Sequence, residues 1–187
     1  WAGAGHELQE LSESIGAPLH LRRMARGSVP DSHHQVFGGA FRADVWRDAD
    51  LVLIVGLRLG WLEWYGLPPA WPGEAKRVFI HESPTDGWSP LPSEAFVVGN
   101  PKLVLRQVLE CLKGEGRGER VDRSEWIAHL KACRDAYKAA LSEDEAEYET
   151  RKPMHPWTLA RKIAESLDPG ATVVMDSFLG STYLTDR

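Results

Sequence analysis

Asp50-Leu51-Val52-Leu53-Ile54-Val55-Gly56-Leu57-Arg58-Leu59-Gly60-Trp61 is the stretch on which the fold turns. Five consecutive apolar residues, Leu51 to Val55, end at Gly56. A run without polar alternation predicts a central parallel strand buried on both faces. Working outward, Arg77 to Ile80 and Ala95 to Val98 predict shorter strands of the same kind. Asn100-Pro101 reads as an N-cap with proline in the first helical position. Leu105, Leu109 and Leu112 then form one helical stripe ending at Gly114. Upstream, Leu8, Leu11 and Ile15 share a face of a helix over residues 6–15, which Gly16 stops. Pro18 to Leu21 reads as a short strand, residues 25–34 as a loop and residues 41–48 as a helix. Alternating strands and helices predict an α/β chain: a Rossmann-like parallel sheet with helices on both faces.

Downstream, Gly114-Glu115-Gly116-Arg117-Gly118-Glu119 is a hydrophilic breaker and the best candidate for a domain edge. A long helix is expected over residues 124–141, with Trp126, Leu130 and Tyr137 on its buried side. Residues 142–152 are dominated by charge and read as a solvated helical extension or a linker. His155-Pro156 opens another helix, with Leu159, Ile163 and Leu167 on one face. Asp168-Pro169-Gly170 ends it, and Thr172 to Met175 predicts a buried strand. The expected organisation is a central nucleotide-binding-like domain over 1–118 (its first strand missing), a helical connection over 119–152, and the beginning of a second α/β domain over 153–187.

Composition bounds the class. The 187 residues are 43% hydrophobic and 26% charged, ordinary globular values that permit a sizeable core. Against 27 Asp and Glu stand 22 Lys and Arg, a net charge of −5. No basic excess is available to neutralise phosphates, so neither nucleic acid nor an anionic membrane is the expected partner. The sequence holds no apolar run long enough for a transmembrane helix. Cys111 and Cys133 are too few for a disulfide framework or a zinc site, and the expected compartment is reducing and cytoplasmic. Trp1 stands where Met would begin a natural chain, with nothing resembling a signal peptide, so the expectation is a start further upstream.

GxGxxG, GxxxxGK[ST], GxSxG and HExxH are all absent. Gly3 and Gly5 amount to a fragment of a glycine pattern. His33-His34 reads as surface loop, Cys111 and Cys133 as helix packing residues, and the acidic run from Glu143 to Glu149 as a solvated face. Trp61, Trp64 and Trp71 fit a ligand cage or a loop folded against its domain. The loop after the buried strand carries more. In open α/β sheets ligands bind at the carboxyl ends of the strands, where Arg58 could set its bidentate guanidinium against a phosphate. An Arg paired with a helix end or an acidic neighbour fits its position equally well. Ile80-His81-Glu82-Ser83 ends the next strand where a ribose hydroxyl would be held.

The motifs in order resemble the central domain of thiamine-diphosphate-dependent enzymes. The series is Arg23-Met24-Ala25-Arg26-Gly27, Val29-Pro30-Asp31-Ser32-His33, Ala49-Asp50-Leu51-Val52-Leu53, Gly56-Leu57-Arg58-Leu59-Gly60-Trp61, Ile80 to Pro84 and Val98-Gly99-Asn100. Residues 153–182 are similar to the opening of that family's diphosphate-binding domain. Gly66 with Pro68-Pro69 brings the chain nearest the oxalyl-CoA decarboxylase and 2-hydroxyacyl-CoA lyase branch. The resemblance implies a lyase or decarboxylase that cleaves or forms a carbon–carbon bond beside a carbonyl. Its expected substrate is a 2-hydroxyacyl-CoA or 2-oxoacyl-CoA. Thiamine diphosphate performs the chemistry, with Mg2+ bridging it to the protein. One alternative is an acetolactate-synthase-like carboligase or 2-oxo acid decarboxylase with structural FAD. Another, of a different class, is a non-catalytic nucleotide-binding module.

Carried over residue by residue, the resemblance implies no catalytic residue and no metal ligand within these 187 positions. The activating glutamate and the magnesium motif belong to domains on either side. What it implies here is an ADP- or FAD-like site at Arg58, His81, Ser83 and Asn100. A CoA contact is implied at Arg42, with others at Ser181 and Thr182. His81 and Asn100 stand where the family carries aspartates, Gly60 and Ser181 where it carries asparagines. A homodimer or homotetramer is implied, because thiamine sites of this family form between subunits.

Overall fold

The computed structural model describes residues 2–38, 42–86, 89–114, 122–176 and 183. They form two units, the described residues up to 130 other than residue 38, and the described residues from 131 onward together with residue 38.

The first unit is built on a parallel sheet of β1 (Leu51–Val55), β2 (Lys76–His81) and β3 (Ala95–Val98), in spatial order β1-β2-β3. Leu53 pairs with Val78, Val55 with Ile80, and Ile80 with Val97. Side chains alternate across the sheet, so Val55, Ile80 and Val97 share one face, and Arg77, Phe79 and Phe96 the other. Helices α1 (Gly5–Ile15) and α3 (Pro101–Gly114) pack on the first face through Leu11, Ile80, Val104, Leu105 and Leu109. Burying a side chain such as Leu105 fully contributes about 1.5–3 kcal/mol. Gly16 ends α1 in the left-handed conformation (φ 66°). The side chain of Asn100 caps α3 by accepting the N–H groups of Lys102 at 3.1 Å and Leu103 at 3.4 Å.

The opposite face is held by the β1–β2 connection, residues 56–75, whose one regular piece is a 3-10 segment, Trp61–Gly66. Arg77, 3% exposed, anchors it from β2 by donating to the carbonyls of Ala75 (2.7 Å), Pro72 (3.0 Å) and Gly66 (3.3 Å). Trp71, 2% exposed, stacks against Trp46 of α2 (Arg42–Arg47) with ring centroids 4.7 Å apart.

Several expectations change. β1 lies at an edge of the three strands, and Leu51 and Leu53 are 53% and 36% exposed, because no described element covers that end of the face. The strand expected at Pro18–Leu21 reduces to one bridge, Leu19 to Val36. Helix α4 (Ser124–Glu143) buries Ile127 and Leu130, whereas Tyr137 is 36% exposed. Cys111 is exposed on α3, not packed. His33 and His34 lie in a loop; His34 is exposed, and the half-buried His33 ring pairs with Glu13 at 3.0 Å. The breaker after Gly114 falls outside the described residues.

In the second unit α5 (Glu145–Thr150) packs on α6 (Pro156–Ser166). α6 buries Trp157, Thr158 and Ala160, and Leu159 is exposed. The face is chosen by the stack of Tyr148 on His155 (4.0 Å, 10°) and by the Thr158 hydroxyl donating to the Tyr148 carbonyl at 2.8 Å. Thr172 to Met175 forms no strand, and Val174 is 94% exposed. A strand needs a neighbour to receive its N–H groups, and these residues have none among those described.

Candidate functional site

Three of the strand-end groups expected from the sequence come to the carboxyl ends of β1 and β2. Gly56 takes φ 62° as β1 ends, and its N–H donates to the Ile80 carbonyl at 2.8 Å. This turns the chain outward, and two residues later Arg58 stands 70% exposed, paired with Asp86 from the loop after β2. At the end of β2, His81 accepts the Ser83 N–H on Nδ1 at 3.0 Å, and the Ser83 and Thr85 hydroxyls lie 2.9 Å apart. Asn100, with its Oδ1 committed to capping α3, donates its Nδ2 to Glu82 at 2.6 Å. Beyond Ser83 a cavity of about 530 Å³ opens, lined by Pro84, Thr85, Ser89, Leu91, Ser93 and Phe96.

Each of these polar groups already has a partner within the chain, and magnitudes decide what that means. Exposed ion pairs such as Arg58–Asp86 contribute about 0–1 kcal/mol, so a phosphate can displace Asp86 at little cost. The Asn100–Glu82 contact is also at the surface. It sets a carboxylate oxygen at the end of β2, a group able to accept hydroxyl donors. Glu82, one residue after His81, presents this carboxylate. Sequence position alone could suggest Glu82 but could not select it, since its orientation depends on Asn100 eighteen residues away.

Arg42 is the first residue of α2. Ser181 and Thr182 lie outside the described residues. Among the described residues no group of three His, Cys, Asp or Glu side chains could hold a metal ion. No described helix is long and apolar enough to cross a membrane.

The start of α1 shows a second departure. Its N-terminus has no side-chain cap from Ala4, and Glu7 in its first turn is 3% exposed. Burial pushes the Glu7 carboxyl up, but its own backbone N–H and Arg106, donating at 2.8 Å, more than offset that and hold it below the usual carboxylate range. The positive end of this helix thus already has its anion. In the second unit the sequence reading missed a cavity of about 340 Å³, lined by Arg151, Pro153, Met154, His155, Pro156 and Tyr183.

A parallel three-stranded sheet flanked by helices, with polar groups at the carboxyl ends of its strands, defines a Rossmann-like α/β domain. The profile described as thiamine pyrophosphate enzyme, central domain, matches residues 1–108, and the chain belongs to that family. It is 26% identical to the 2-hydroxyacyl-CoA lyase 1 of Homo sapiens over 94% of its length, and covers 30% of that protein. It is 30% identical to the acetolactate synthase large subunit IlvG of Mycobacterium tuberculosis over 95% of its length, again covering 30%. A solved structure assigned as a thiamin diphosphate-dependent enzyme from Mycobacterium smegmatis aligns with 26% identity and a TM-score of 0.46, covering 58% of this chain and 22% of that one. The chain spans about 30% of the length of these curated relatives.

Proposed function

We propose that the chain is the central domain, joined to the opening of the diphosphate-binding domain, of a thiamine-diphosphate-dependent lyase or decarboxylase. Its substrate is a 2-hydroxyacyl-CoA or 2-oxoacyl-CoA, and its strand-end site takes a nucleoside diphosphate. The domain limits near residues 118 and 152, the site residues Arg58, His81, Ser83 and Asn100, and the CoA contacts Arg42, Ser181 and Thr182 are part of this reading. So are magnesium, a homodimer or homotetramer, and a cytoplasmic location. The observation that carries it is the family match over residues 1–108 together with Arg58 and the Glu82–Asn100 pair at the ends of adjacent parallel strands. Thiamine diphosphate, when bound, supplies the electron sink for breaking a bond beside a carbonyl. The residues described here bind and orient, and do not react.

The test is cleavage by the protein that contains this chain, with and without thiamine diphosphate, on acyl-CoA thioesters and on free 2-oxo acids. Thiamine-dependent cleavage of an acyl-CoA is expected. Activity confined to free acids would remove the CoA part. The 30% identity to an acetolactate synthase supports a second reading, a carboligase holding FAD structurally. Yellow purified protein would select it, and colourless protein with bound ADP would select the first.

A further inference from the structure

We draw no further inference here: the strongest candidate, the surface patch of exposed rings at Trp61, Trp64 and Tyr65 in the β1–β2 connection, carries nothing, because nothing in the structure shows what covers it.

Discussion

Arg106 of α3 donates its Nε to the carboxylate of Glu7 in the first turn of α1, at 2.8 Å and across 99 positions of sequence. The two helices share the cluster of Leu11, Ile80 and Leu105, so this contact sits at the edge of the main core. Because Glu7 is held below the usual carboxylate range, it stabilises the fold above about pH 4.5, the ordinary value of the group, and the contribution is lost as pH falls through the folded value. Glu7→Gln is expected to flatten the acid limb of stability against pH. Urea midpoints between pH 7 and pH 3 measure it. Parallel curves for the two proteins would refute the assignment.

Gly5→Ala reverses an ordinary rule. Alanine in a helix is normally favoured over glycine by about 1 kcal/mol. At Gly5 the added Cβ would lie 2.1 Å from the Ser28 carbonyl oxygen, a backbone atom that cannot rotate away. The substitution is expected to destabilise the chain despite the better helix former. Thermal melting gives the sign, and a raised midpoint contradicts the close approach.

Leu105→Ala empties a fully buried position between α1 and α3. The expected loss is about 2–5 kcal/mol, transfer and cavity terms together. By comparison Leu51→Ala, at a residue 53% exposed, is expected to change stability by less than about 1 kcal/mol. Equal losses at the two sites would mean that the exposed end of the sheet is covered in solution.

Arg58 and Asp86 separate binding from stability. Either Arg58→Ala or Asp86→Ala is expected to shift stability by no more than about 1 kcal/mol, since the pair is exposed. Toward ADP they should diverge. Arg58→Ala weakens binding, and Asp86→Ala strengthens it by removing the competing anion. Isothermal titration distinguishes them, and weakening by both substitutions is inconsistent with Asp86 as a competitor.

How much could be read beforehand follows the range of the interactions. α1, β2, β3 and α3 were legible because their causes are local: Gly16 in left-handed conformation, an apolar run, Asn100 capping its own helix. Thr172 to Met175 was misread because an apolar run promises a strand only if a partner strand lies beside it. Leu51 and Leu53 were misread for the same reason, since burial is a property of the neighbours. At the site, Arg58 was legible from its place after a strand. That its acidic partner is Asp86, and that Asn100 meets Glu82, were not.

The order of strands and helices and the family resemblance were therefore in the sequence by itself. Periodicity, caps and motifs act over a few residues and leave a readable pattern. The tertiary structure alone decided which partners those residues meet. Glu7 finds Arg106 and Glu63 finds Arg22, and Trp64 and Tyr65 take left-handed backbone that no local pattern announces. The physical reason is that burial and ion pairing depend on distance in space, and 41 or 99 residues of chain carry no local record of the contact they close.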